Sequence, residues 1–239
     1  MNQAAEYVRS LFPRSLSGIV TTKAVFIPSL QLGGDAFDYY WLDADHLAVY
    51  LLDVAGHGVR SALLSVSVLN VLRSQSLPNT NFSQPSAVLT ALNRAFQMNE
   101  NGDDYFTIWY GVYNRLQREL VYACAGHPPA ILLSGASTTT SIKELGSPGI
   151  PIGMLPDADF DDNFCKIQPG SNLYLFSDGV YEIIQPDGNI WGLDAFINLL
   201  NNHTKSNDGH LDTVLHQIQD LNRNKALDDD FSLLQIKFD

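Results

Sequence analysis

Residues 47–58 read LAVYLLDVAGHG, an apolar run that ends in Asp53 and is followed at once by a histidine between two glycines. The unbroken run Leu47–Leu52 predicts a buried strand. Gly56 and Gly58 then allow a sharp change of direction, since glycine adopts backbone conformations that other residues avoid. The segment therefore predicts a strand that delivers one carboxylate to its end.

Other aspartates stand in the same kind of position, at the edge of an apolar run and beside a turn. Gly33-Gly34-Asp35 follows the run Ala24–Leu32, Ser177-Asp178-Gly179 follows a second run, and Asp228–Asp230 opens the last one. Carboxylates that meet at one edge of a sheet repel each other, and some must take up protons unless a cation lies between them. Hard oxygen ligands suit magnesium or manganese. The pattern therefore predicts a site for divalent cations.

Composition limits the class of protein. The chain has 239 residues, of which 45% are hydrophobic and 17% charged, and its formal net charge is −12. Such a balance is typical of a soluble globular protein. The negative charge disfavours broad contact with nucleic acid or anionic lipid, because phosphates would be repelled. There is no signal-peptide pattern, and Cys124 and Cys165 show no metal spacing, so a cytoplasmic protein is expected.

Periodicity predicts strand blocks separated by pairs of helices, which indicates an α+β layered fold rather than βαβ alternation. The predicted helices are Ala4–Leu11, Val59–Ser76, a helix that begins at Pro85, Leu193–Asn201 and Leu211–Leu221. The main predicted strands are Ile19–Ile27, Phe37–Leu42, Leu47–Leu52, Tyr105–Leu116, Leu120–Ala125, Ala130–Leu133, Asn172–Ser177 and Phe231–Phe238.

Six short motifs follow one another along the chain. They are GGDxFD (33–38), DVxGHG (53–58), AGHxP (125–129), GxPxG (149–153), SDGVxE (177–182) and DDxS (229–232). In this order they resemble the metal-dependent serine/threonine protein phosphatases of type 2C, the PPM family, and most closely its bacterial SpoIIE-type branch. The resemblance runs from about Ile19 to Phe238. It implies a four-layer αββα sandwich, in which two antiparallel β-sheets are flanked by helix pairs.

The resemblance also implies a ligand set for two divalent cations, Mn²⁺ or Mg²⁺. Asp35 and Asp53 would hold both ions, with the main-chain carbonyl of Val54 as a further ligand. Asp178 and Asp229 would complete the coordination. Asp229 is chosen within the Asp228–Asp230 run because the family uses the first acid of its Asp-Asp-x-Ser pattern.

No side chain is assigned as a nucleophile, because two cations can lower the pKa of a shared water and neutralise phosphate oxygens. Four residues are expected around the ligands or on the substrate side: Gly34, His57, Gly179 and Asp230. His57 could protonate the leaving serine, but it is interpreted as a residue that orders its glycine-rich loop. The general acid is left unassigned, because it must be assigned from geometry.

The resemblance therefore predicts a hydrolase of phosphoserine or phosphothreonine in signal transduction. In this branch the substrate is often an anti-anti-sigma factor of a sigma-factor switch, and a receiver or sensor domain often precedes the phosphatase, as in two-component systems. Residues 1–16 are accordingly interpreted as a helical linker stub, and residues 17–239 as the phosphatase domain. The alternative is an inactive module of the same fold that binds a phosphoprotein; the presence of all four aspartates favours the enzyme.

Overall fold

The computed structural model describes residues 3–29, 32–98, 105–135, 141–185, 187–205, 211–222 and 229–239. The helices in these ranges are α1 (Gln3–Ser10), α2 (Val59–Arg73), α3 (Pro85–Ala95), α4 (Leu193–Lys205) and α5 (Leu211–Leu221). The strands are β1 (Val20–Ile27), β2 (Ala36–Trp41), β3 (His46–Val54), β4 (Phe106–Asn114), β5 (Glu119–Ala125), β6 (Ala130–Ser134), β7 (Ser141–Leu145), β8 (Asn163–Lys166), β9 (Ser171–Phe176) and β10 (Phe231–Phe238). None of the described helices combines the length and apolarity that crossing a membrane requires.

The chain divides into two compact units. The first unit comprises Met1–Arg14, Gln31–Pro129 and Leu145–Ile167. Its five-stranded sheet has the order β2-β3-β4-β5-β8, and each neighbouring pair of strands is antiparallel. Helix α2 packs on β2 and β3, and α3 packs on β4 and β5. The apolar stripe of α3, which includes Leu89 and Leu92, is fully buried in the core of this unit, as the helical spacing predicted.

The second unit comprises Ser15–Leu30, Ala130–Glu144 and Gln168–Asp239. Its sheet has the order β1-β10-β9-β6-β7, with antiparallel pairing of β10 to both of its neighbours. Helix α4 contacts β6, and α5 contacts α4 and β1. Each unit thus carries one sheet and one pair of longer helices, which confirms the predicted α+β class.

The N-terminal segment packs against the first unit. Val8 of α1 is 7% exposed. The ring of Phe12 stacks on Phe37 with centroids 4.3 Å apart. The Arg73 guanidinium, at the end of α2, donates a hydrogen bond to the Leu11 carbonyl through Nη2 over 2.8 Å. The proposed division between a linker stub and a phosphatase domain at residue 16 stays a prediction.

Candidate metal centre

Asp35 and Asp53 lie at the same end of the sheet in the first unit. Strands β2 and β3 pair with Ala36 opposite Leu52. Asp35 directly precedes Ala36 and Asp53 directly follows Leu52, so both aspartates lie at that end of the sheet. Asp35 is 2% exposed, whereas Asp53 is partly buried. The prediction that β3 delivers its carboxylate to a sheet end therefore agrees with the structure, and β2 begins with a second carboxylate beside it.

The backbone of Val54 passes very close to Gly34. A Cβ atom placed on Gly34 would lie 2.6 Å from the Val54 carbonyl oxygen and 2.8 Å from the Val54 Cβ. The two loops are also joined by a hydrogen bond of 2.6 Å, which the Gly58 N–H donates to the Leu32 carbonyl. A glycine is therefore needed where the Asp35 loop meets the Asp53 loop. The donors gathered here, two carboxylates and a carbonyl, are the hard oxygens that Mg²⁺ and Mn²⁺ prefer.

The loop that follows Asp53 leads into α2 without a side-chain cap. The N-cap residue is Gly58, with φ of 101°, and it makes no side-chain capping hydrogen bond. The N-cap residue of α2 is therefore Gly58 and not Asp53. The His57 side chain is exposed, and it makes no hydrogen bond to another described residue. The backbone bond from Gly58, rather than the His57 ring, ties this loop to its neighbour.

Asp178 and Asp229 come together in the second unit. Asp178 begins the short 3-10 turn Asp178–Val180 after β9, and Asp229 lies just before β10, the strand that pairs with β9. Burial raises the pKa of the Asp178 carboxyl to about 6, and the negative charges of Asp229 and Glu182 add to this effect. A cation at this place would offset the repulsion, because opposite charge favours the ionised form.

Gly179 and Asp230 shape the same junction. A Cβ on Gly179 would lie 2.2 Å from the Asp230 carbonyl oxygen, so only glycine fits there. The Asp230 side chain is buried, and its Oδ1 accepts a hydrogen bond of 2.9 Å from the Ser29 N–H. Asp229, by contrast, is exposed. This difference favours Asp229 over Asp230 as a ligand, whereas Asp228 lies outside the described residues.

Each unit thus brings two of the predicted carboxylates together. Across the described ranges, no three His, Cys, Asp or Glu side chains form a ready-made cluster for a metal ion. The assignment of all four aspartates to one pair of cations stays a prediction.

Asp38, the second acid of the GGDxFD motif, has a structural role. It is 2% exposed, and its Oδ2 accepts a hydrogen bond of 2.7 Å from Arg73 Nε. Its Oδ1 accepts a second bond from the Tyr39 N–H over 2.8 Å. The motif therefore combines a candidate ligand, Asp35, with a carboxylate that fixes β2 to the end of α2.

Thr107 was missed by sequence reasoning. It lies opposite Asp53 in the pairing of β3 with β4. Its Oγ1 is hydrogen-bonded to Nδ1 of His127 over 2.9 Å, and the His127 side chain is buried. No local pattern marks Thr107, because its place beside Asp53 follows from strand pairing alone.

Comparison with known proteins identifies relatives of this chain. The family model described as Stage II sporulation protein E (SpoIIE) matches residues 43–239. The chain is 30% identical over 165 residues to "Phosphoserine phosphatase RsbU" of Bacillus subtilis (strain 168), which covers 69% of this chain and 48% of that protein. The chain spans about half the length of the curated relatives it matches.

Solved structures share the fold. The SiaA-PP2C domain of Pseudomonas aeruginosa superposes with a TM-score of 0.83 at 21% identity, covering 99% of this chain and 95% of that one. RsbX, in complex with magnesium, superposes with a TM-score of 0.66 at 13% identity, covering 95% of this chain and 99% of that one. These likenesses confirm the predicted α+β sandwich of the type 2C phosphatases.

Proposed function

The chain belongs to the SpoIIE family, and from this membership we propose that it is a metal-dependent phosphatase that hydrolyses phosphoserine or phosphothreonine in a protein. The name of the relative RsbU, a phosphoserine phosphatase, supports the reaction. The candidate metal centre supports the same conclusion. All four predicted carboxylates are present, and each lies at the end of a strand or in the turn beside one.

One observation carries the proposal. The Val54 carbonyl oxygen is only 2.6 Å from the place where a Cβ of residue 34 would be. This close approach puts a backbone oxygen next to Asp35 and Asp53. Residue 34 must be glycine there, because any larger side chain would collide with the backbone of Val54. A backbone oxygen beside two carboxylates provides the hard oxygen ligands that a divalent cation prefers.

The proposed ligands are Asp35, Asp53, the Val54 carbonyl, Asp178 and Asp229, which would hold two divalent cations, Mn²⁺ or Mg²⁺. When bound, the cations would supply an activated water and neutralise the charge of the phosphate oxygens. The magnesium in the RsbX structure supports this class of ion.

The chain's own residues would prepare the site. Gly34 and Gly179 leave space where a larger residue would strike the backbone of a ligand segment. The hydrogen bond between Thr107 and His127 would hold the strand beside Asp53. In the hydrolysis, the water oxygen bonds to phosphorus while the bond from phosphorus to the serine oxygen breaks. The serine oxygen then takes up a proton, for which no side chain is assigned.

The biological setting is also a proposal. We infer a phosphorylated regulatory protein as the substrate, of the anti-anti-sigma type that the resemblance implies, and a receiver or sensor domain joined to the N-terminal helix. The shorter span of this chain relative to its curated relatives supports a longer full-length protein. A cytoplasmic location is expected for such a switch.

A second candidate function is an inactive module that binds a phosphoprotein. One experiment separates the two. The protein is stripped of metal with a chelator and titrated with Mn²⁺ or Mg²⁺, while calorimetry measures binding and p-nitrophenyl phosphate reports turnover. The enzyme requires metal binding together with metal-dependent turnover. Binding of a phosphoserine peptide without any turnover, with either ion, would instead establish the module.

A further inference from the structure

The loop of residues 149–155 lies beside the strand ends that carry the candidate ligands. Val54 pairs with Phe106 across β3 and β4. Phe106 in turn forms a bridge with Ile152, through hydrogen bonds of 3.2 and 2.8 Å in the two directions. Two strand spacings place Ile152 about 10 Å from Val54. The loop therefore lies within reach of a protein bound at Asp53.

A buried side chain fixes the conformation of the loop. Asn93 of α3 is 1% exposed. Its Nδ2 donates to the carbonyls of Leu155 and Pro156 over 2.8 and 3.1 Å, and its Oδ1 accepts from the Gly153 N–H over 2.8 Å. On the inner side, a Cβ on Gly149 would lie 2.4 Å from the backbone of β5. The loop is thus packed and hydrogen-bonded along its inner side.

This fixed loop presents apolar side chains to solvent. Ile150 is 39% exposed, Met154 is 41% exposed and Leu155 is 50% exposed. Apolar side chains grouped on a held loop are typical of a binding surface, and methionine adapts well to varied partners. We call Ile150, Met154 and Leu155 the loop surface.

The residues that follow the loop surface are acidic. Asp157, Asp159 and Asp161 are all exposed, and they come directly after Leu155 and Pro156. Their charges disfavour a second copy of this chain as the occupant, since the chain carries a net charge of −12 and would bring like charges together. They favour a partner with lysine or arginine next to its apolar residues.

We propose that the loop surface is the docking site for the protein substrate, and that it selects phosphoserines flanked by apolar and basic residues. This inference rests on the proposed function, because it is the phosphate bound at the ligand end that brings the flanking residues over the loop. Residues 150, 154 and 155 would thereby determine specificity without taking part in hydrolysis.

The test compares two phosphoserine peptides of equal length with lysines at the same positions. One has leucines beside the phosphoserine, and the other has serines in their place. The measured quantity is the ratio of kcat/KM for the leucine peptide to kcat/KM for the serine peptide. We expect a ratio of about ten in the wild type, which corresponds to partial burial of two apolar side chains. In the double variant Met154→Ser/Leu155→Ser the ratio should fall to about one or two.

The matched control is Leu116→Ser. Leu116 is 72% exposed and lies in the turn after β4, at the end of that strand opposite to Phe106. This variant should keep the ratio of the wild type. A second variant, Asp157→Lys/Asp159→Lys, should raise KM for both lysine-containing peptides.

The outcomes distinguish the two proposals. A wild-type ratio near one, or a ratio unchanged in the Met154→Ser/Leu155→Ser variant, overturns the docking site. Absence of metal-dependent hydrolysis of both peptides and of p-nitrophenyl phosphate overturns the proposed function instead. In that case fluorescence anisotropy measures the affinities of the two peptides. A ratio of affinities that falls in Met154→Ser/Leu155→Ser but not in Leu116→Ser supports binding of the apolar flanks by the loop surface, and an unchanged ratio overturns it.

Discussion

The aspartates Asp38, Asp230 and Asp178 have two kinds of surroundings. Asp38 accepts hydrogen bonds from Arg73 and a backbone N–H, and Asp230 accepts one from Ser29, so each is held by donors within its own unit. Asp178 is in the opposite situation, since burial and two negative neighbours raise the pKa of its carboxyl to about 6. A carboxylate that the fold destabilises in its charged form is typical of a functional site.

Asp178→Asn should therefore leave the metal-free protein as stable as the wild type or slightly more stable. The amide removes the repulsion from Asp229 and Glu182 but keeps the size of the side chain. Loss of a ligand should reduce metal-dependent turnover by about 100-fold or more. Thermal unfolding with chelator measures the first effect, and p-nitrophenyl phosphate with Mn²⁺ measures the second. Asp220→Asn, on the exposed side of α5, is the control and should keep full turnover.

Gly34→Ala tests the close approach to Val54. The added Cβ would stand 2.6 Å from a carbonyl oxygen of the backbone, which cannot move aside as a flexible side chain could. We expect a loss of about 1–3 kcal/mol in the free energy of unfolding, as for overpacking elsewhere, together with weaker Mn²⁺ binding. Urea unfolding and calorimetry provide the two measurements.

Gly188→Ala is the matched control for that substitution. Its φ is 84°, and nothing lies within 4 Å of an added Cβ, so it reports backbone strain without a clash. If Gly34→Ala had no larger effect on Mn²⁺ binding than Gly188→Ala, the importance of the Gly34 approach would be refuted.

At the level of elements, the Arg73 guanidinium joins three segments. Arg73 ends α2, donates through Nε to Asp38 on β2 over 2.7 Å, and donates through Nη2 to Leu11 after α1 over 2.8 Å. The helix that begins beside the Asp53 loop is thereby fastened at its other end to the strand that begins beside Asp35. The same guanidinium also holds the N-terminal segment against the first unit.

Arg73→Met should leave the Asp38 carboxylate buried without its cationic partner. Breaking a buried pair costs about 3–5 kcal/mol, and the 37% exposure of the Arg73 side chain brings our expectation down to about 2 kcal/mol. Urea unfolding measures this loss. Arg94→Met, on the exposed side of α3, should change the unfolding free energy by less than about 0.5 kcal/mol. Equal effects of the two substitutions would show that the pair contributes nothing specific.

For the whole molecule, the proposed ligands come from both compact units. If all of them bind the same pair of cations, Mn²⁺ should raise the unfolding temperature, and at 100 times Kd the gain in stability should be about 2.7 kcal/mol. Asp35→Asn in the first unit and Asp229→Asn in the second should each abolish most of this gain. Thermal unfolding with and without Mn²⁺ measures it. A gain lost only in one of the two variants would restrict the cation site to that unit.

Features that depend on residues close together in the sequence were predicted better than features that depend on distant residues. The apolar run Leu47–Leu52 predicted the centre of β3, and the spacing of Leu89 and Leu92 predicted the buried stripe of α3, because both signals are periodic within a few residues. The ends of elements were less well predicted: α2 ends at Arg73 rather than at Ser76. The end of a helix depends on tertiary contacts as well as on the helix propensity of its residues.

The linear order of residues by itself determined the α+β class and the six motifs, since strand periods, glycine turns and acidic residues are local features of the sequence. The candidate ligands followed from the family resemblance that these motifs carry. Only the tertiary structure decided which aspartates are structural, that Thr107 faces Asp53, and that Asn93 holds a loop 60 positions away at Gly153. The physical reason is that a hydrogen bond or a strand pair depends on distance in space. No local sequence pattern indicates a contact between residues that are far apart in the sequence.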